Sequence, residues 1–139
     1  MDAIEQRCPW STGSELYQHY HDVEWGVPSK DDRVLFEFLV LESAQAGLSW
    51  ITILRKRENY RRAFSQFNPV KIARYNQSSV RRLMANPGIV RNKLKIESTI
   101  TNARYFLDIQ ESFGSFTQYF WQFSDGQIIT NHFSSIQEI

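Results

Sequence analysis

Apolar residues in this chain recur at three- and four-residue intervals, and nowhere do they alternate long enough to build a sheet. That pattern selects amphipathic helices joined by short loops. It predicts an all-α fold in a single domain over residues 1–139, with an irregular N-terminal segment (1–30), a helical body (31–123) and a connector or tail (124–139). Pro9, Gly13, Gly26 and Pro28 punctuate the first segment, with one short helix over Glu15–Tyr20 capped by Ser14. A helix follows Pro28, with caps and first-turn acids from Ser29–Asp32, and stops near Gly47. Ser49 caps the next, with Trp50, Ile53, Leu54, Tyr60 and Phe64 inward and the basic cluster Arg55-Lys56-Arg57/Arg61-Arg62 outward. Asn68-Pro69 and Ser78-Ser79 start two short helices, the second through Met84. A long helix spans about Arg91 to Ser112 with Leu94, Ile96, Ile100, Ala103, Leu107 and Phe113 as its apolar stripe. Gly114 ends it, and Ser115 caps an aromatic helix over Phe116–Phe123. Gln127–Thr130 reads as a short strand or an extended arm.

The chain is long enough for a genuine core, and 42% hydrophobic with 22% charged residues is ordinary for a globular protein. No apolar run approaches the roughly 18 residues that span a bilayer, and the acidic opening Met1–Glu5 is no signal peptide. Cys8 is the only cysteine, which rules out an internal disulfide and favours the cytoplasm. A net charge of +1 does not itself suggest nucleic acid, but Arg81-Arg82, Arg91, Lys93 and Lys95 concentrate positive charge locally.

Three groups of residues carry chemistry. In Leu41-Glu42-Ser43-Ala44-Gln45-Ala46-Gly47-Leu48-Ser49-Trp50, one carboxylate stands among apolar and small residues, with an indole eight positions on. Burying an unpaired charge is costly, so Glu42 reads as a pocket carboxylate awaiting a cation, or else as a surface acid paired with Arg55 or Lys56. Asn86-Pro87-Gly88 breaks the chain before the basic segment at Arg91, Lys93 and Lys95. Such a hairpin presents backbone N–H groups at a positive helix end, which suits DNA phosphates; a plain connection is the other reading. Trp10, Tyr17, Tyr20, His21 and Trp25 crowd the N-terminal segment, where they either stack on an extruded base or form satellite packing. Cys8 and His21 are potential metal ligands, but a structural zinc site takes four. His19 lies on another face and His132 is distant in sequence.

Taken together, Arg7-Cys8-Pro9-Trp10, Tyr20 to Pro28, Leu41 to Trp50 with Arg57-Glu58-Asn59-Tyr60, and Gly88 to Asn92 with Lys95-Ile96 and Asn102-Ala103-Arg104 resemble the DNA-3-methyladenine glycosylase I family. The resemblance covers about Cys8 to Phe123. It implies a helix-hairpin-helix glycosylase that flips an alkylated base out of double-stranded DNA and hydrolyses its glycosidic bond. Glu42 would be the catalytic recognition carboxylate, and Tyr20 and Trp50, with Trp10 and Trp25, the base-contacting rings. Gly88, Val90, Arg91 and Lys93 would hold the DNA backbone. Relative to the family the chain reads as C-terminally truncated. The family's zinc site also uses a late His and Cys, so Cys8 and His21 would leave it absent or incomplete. A non-catalytic DNA-binding fragment that keeps the hairpin is the alternative.

Overall fold

The computed structural model describes residues 6–139; Met1–Glu5, including the acidic opening, lie outside the described residues. Among the described residues every regular element is helical and no strand occurs. The α-helices are α1 (Glu15–Val23), α2 (Asp32–Gln45), α3 (Trp50–Ala63), α4 (Pro69–Ile72), α5 (Gln77–Met84), α6 (Lys93–Phe113) and α7 (Phe116–Trp121). Single 3-10 turns occur at Pro9–Ser11, Ser65–Phe67, Gln122–Ser124 and Ile136–Glu138. No helix among the described residues is long and apolar enough to cross a membrane.

The helix starts follow local chemistry. Side-chain oxygens of Ser14, Asp31, Asn68, Asn92 and Ser115 accept the N–H groups that open α1, α2, α4, α6 and α7. Three starts differ from the sequence reading. Ser49 precedes α3 but accepts no N–H of its first turn, its hydroxyl pairing instead with that of Thr52 at 2.7 Å. Helix α5 begins at Gln77, because Asn76 rather than Ser78 is its cap. Asn76 Oδ1 accepts the Ser79 N–H at 3.1 Å while the Ser79 hydroxyl accepts the Asn76 N–H at 3.1 Å. Helix α6 begins at Lys93, because Asn92 is extended (φ −117°, ψ 117°) and bonds forward to the Lys95 N–H, which leaves Arg91 in the connection.

Helix α6 runs through the centre and packs on α2, α4, α5 and α7. Its inward residues are Ile96, Thr99, Ile100, Ala103 and Phe106. Leu94 is 73% exposed and Phe113 is 43% exposed, so neither belongs to the stripe expected of them. Leu94 and Ile96 sit about 200° apart around a helix of 3.6 residues per turn, so they cannot share a face. From the other elements Phe36 and Leu41 of α2, Ile53 of α3, Ile72 of α4 and Val80 and Leu83 of α5 join them in the core. Asp32 ties the start of α2 to the last turns of α6 and the start of α7: its carboxylate accepts the N–H groups of Phe116 and Thr117 at 2.8 Å, together with the Thr117 hydroxyl and Gln110 Nε2. Gln127–Thr130 is irregular, an arm rather than a strand, with Ile128 and Ile129 exposed.

Candidate active site

Helix α1 sets out an aromatic face, since Tyr17, Tyr20 and His21 recur at three- and four-residue spacing. The 3-10 turn Pro9–Ser11 folds back over it. Ser11 is fully buried, its hydroxyl donating to the Cys8 carbonyl at 2.7 Å, and this plants Trp10 against the helix. The Trp10 ring centre lies 5.0 Å from that of Tyr17, 5.4 Å from His21 and 5.5 Å from Trp25. Beyond α1 the Trp25 N–H returns to the Tyr20 carbonyl at 3.0 Å, which brings the Trp25 ring to stack on His21. Tyr20, almost fully buried, reaches the indole of Trp50 at the start of α3, with ring centres 5.5 Å apart.

Trp10, Tyr17, Tyr20, Trp25 and Trp50, with Glu42 and Gln45, line an open cavity of about 310 Å³. All five pocket residues read from the sequence meet there; Tyr17 and Gln45 complete it. The volume suits one flat heterocycle. Trp50 Nε1 is buried and meets no acceptor at hydrogen-bonding geometry. Burial, followed by the nearby carboxylates of Glu42 and Glu24, pushes the Tyr20 phenol up to about 12, so it remains a neutral hydroxyl.

Glu42 differs from the expectation of a buried carboxylate. It is exposed at the cavity wall, with no hydrogen bond or ion pair to any described residue, Arg55 and Lys56 included. The neighbouring small and apolar residues suggested burial, but one helical step of about 100° separates Leu41, which faces the core, from Glu42, which faces the cavity. The buried acid of α2 is instead Glu37, which the sequence reading missed. Its Oε1 accepts Arg57 Nε at 2.9 Å and Arg61 Nε at 2.8 Å, and Arg57 Nη1 reaches Glu24 Oε2 at 2.7 Å. Burial opposes the Arg57 charge, but the bonds to Glu24 and Glu37 outweigh it and hold the guanidinium more firmly protonated than usual. Arg57 and Arg61 therefore turn inward, away from the outward cluster expected of them. One turn apart on α3, they tie it to α2, and Arg57 also reaches the end of α1.

The hairpin between α5 and α6 is anchored to α3. Asn59 Nδ2 donates to the Gly88 carbonyl at 3.1 Å, and the Val90 N–H donates to the Tyr60 hydroxyl at 3.2 Å. The Gly88 N–H is taken by Asn86 Oδ1 at 2.8 Å. Two of the N–H groups expected to face outward are thus used internally. A Cβ on Gly88 would stand 3.0 Å from Asn59 Cγ, so any larger residue there makes the Asn59 side chain or the turn shift by a few tenths of an ångström. Arg91 and Lys93 are exposed beside the turn. Lys95 is not part of that cluster: its Nζ donates to the carbonyls of Ala44 and Ala46.

Cys8 and His21 are neighbours, but not as a metal pair. His21 Nε2 accepts the Cys8 N–H at 3.3 Å, and Nδ1 lies 3.0 Å from Asp22 Oδ1. Asp22 is held down to about 2, chiefly by hydrogen bonding from Arg7 and then from His21. Both imidazole nitrogens are engaged, and no group of three His, Cys, Asp or Glu among the described residues could hold a metal ion. The residues described do not fit a structural zinc ion, which takes four ligands.

Comparison with known proteins agrees with this architecture. Residues 10–139 match the family model described as methyladenine glycosylase. DNA-3-methyladenine glycosylase 1 of Escherichia coli K12 is 45% identical over 134 residues, 96% of this chain and 72% of that protein. A crystal structure of 3-methyladenine DNA glycosylase I superposes with a TM-score of 0.93 at 48% identity, covering 96% of this chain and 74% of the other. A second, of a variant in complex with 3-methyladenine, gives 0.92 at 36% identity, covering 96% and 72%. The helical fold and the aromatic cavity define a base-excising glycosylase class. The chain belongs to the methyladenine glycosylase family.

Proposed function

We propose that this chain hydrolyses the N-glycosidic bond of 3-methyladenine in alkylated double-stranded DNA, acting on a base flipped into the 310 Å³ cavity. The observation that carries this reading is Glu42: a carboxylate with no hydrogen bond or ion pair among the described residues, on the wall of a cavity otherwise walled mainly by aromatic rings. While joined to deoxyribose, 3-methyladenine is cationic, so its glycosidic bond is already activated. The protein has to extract the base, orient it and favour its departure. Glu42 accepts the N–H groups of the base and offsets its charge. Tyr20, kept neutral, donates from its hydroxyl, and the rings of Trp10, Trp25 and Trp50 stack on a cation with a gain that a neutral purine does not receive. Water then attacks the sugar carbon. None of the lining residues is a lysine, so the reaction is a hydrolysis without a Schiff-base lyase step.

Arg91 and Lys93, exposed beside the Gly88 hairpin, supply the phosphate grip, with Gly88 and Val90 shaping its backbone. Zinc has no part in this reading. Its setting is the cytoplasm, in keeping with a single cysteine and no disulfide. The test is release of free 3-methyladenine from alkylated duplex DNA. Release by the wild-type chain with loss in Glu42→Gln supports the assignment, whereas full release by that variant overturns it.

A further inference from the structure

The sequence groups Lys95 with Arg91 and Lys93, yet its ammonium is directed inward. Nζ donates to the carbonyl of Ala44 at 2.9 Å and to that of Ala46 at 2.5 Å, where α2 ends. Ala46 (φ −50°, ψ 120°) and Gly47 (φ +81°) are the central pair of a type II turn, closed by the Leu48 N–H on the Gln45 carbonyl at 2.7 Å. The turn itself does not use the Ala46 carbonyl, and the last carbonyls of α2 have no helical donor. A cation placed there satisfies both oxygens and complements the negative end of the helix.

The position of this contact gives it a further consequence. Glu42 precedes the turn and Trp50 follows it, and both wall the cavity. Lys95 stands in the first turn of α6, just after Arg91 and Lys93. Among the described residues, no other side-chain hydrogen bond links α6 to this turn. Asn59 and Tyr60 hold the hairpin to α3 from a different side.

We propose that Lys95 is a positioning residue that sets the distance between the DNA-gripping hairpin and the base pocket. A nucleotide flipped from a duplex held at Arg91 and Lys93 then arrives in line with Glu42 and Trp50. This rests on the glycosylase reading above. Positioning of this kind acts on the reaction of bound DNA more than on binding, because small misplacements are costly to rate.

The test compares wild type, Lys95→Met and Lys95→Arg in the full chain. Three quantities are measured: affinity for alkylated duplex, single-turnover release of 3-methyladenine at saturating protein, and amide hydrogen exchange at Gly47–Trp50. Lys95→Met is expected to slow single-turnover release by at least about tenfold, to leave duplex affinity within about threefold, and to speed exchange at the turn. Lys95→Arg, which can donate to both carbonyls, restores most of the rate. Release by Lys95→Met at the wild-type rate overturns the proposal. So does a loss confined to duplex affinity, which would make Lys95 a phosphate contact. If wild type itself releases no base, the glycosylase reading fails and the exchange data decide the positional clamp: faster exchange in Lys95→Met supports it, and unchanged exchange overturns it.

Discussion

The phenol ring of Tyr20 lies 5.5 Å from the indole of Trp50 and is tilted 56° to it, so that α1 and α3 meet in one aromatic corner. Glu42, from α2, faces the cavity beside that corner.

Glu42→Gln keeps the shape of the side chain and removes its charge. Because Glu42 is exposed and bonded to nothing described, stability should change by less than about 0.5 kcal/mol. Release of 3-methyladenine should fall by about a hundredfold, as for loss of one preorganised electrostatic contact to the reacting group. Thermal denaturation alongside a base-release assay separates the two effects.

Glu37→Gln should do the opposite. It takes the shared carboxylate from Arg57 and Arg61 while Arg57 keeps Glu24. Breaking a largely buried pair from one side should cost about 2–4 kcal/mol, read from chemical denaturation. The folded fraction should keep most of its activity per molecule.

Gly88→Ala places a methyl group 3.0 Å from the Asn59 side chain. The hairpin or Asn59 must yield, at about 1–3 kcal/mol, and duplex affinity should weaken because the grip at Arg91 and Lys93 moves with it. Combining Gly88→Ala with Asn59→Gly removes the clash with the Asn59 side chain and should recover part of the stability, which a melting comparison of the double variant with each single variant resolves.

Alkaline pH should expose the environment of Tyr20. An unfolded tyrosine ionises near 10, whereas in the fold Tyr20 stays protonated up to about 12. Between those values unfolding releases a proton, so stability declines as pH rises through the window. Tyr20→Phe should flatten that decline in a denaturation series between pH 10 and 12. Below that window, Tyr20 should impose no titration on the release rate.

Helix existence was legible in the sequence because it depends on short-range rules. Apolar spacing, the caps at Ser14, Asn68 and Ser115, and the stop at Gly114 all act within a few residues. Errors arose where one local signal competed with another, as when Asn76 outranked Ser78 as a cap, or where face assignment was loose, as with Leu94. The residues that line the cavity were conspicuous, as aromatic rings in an irregular segment and a lone carboxylate among small residues, but their spacing alone left satellite packing and a surface acid as open readings.

The charged residues were not legible in this way. Arg57, Arg61 and Lys95 share the composition of any solvated basic face, yet each turns inward to partners far away along the chain. By itself the sequence determined which segments coil, since that follows from neighbours a few residues apart. Only the tertiary structure decided that Glu37 rather than Glu42 is the buried acid, and that Lys95 closes α2 instead of joining Arg91 and Lys93 on the surface. Those outcomes depend on which oxygen atoms packing brings within reach of each cation.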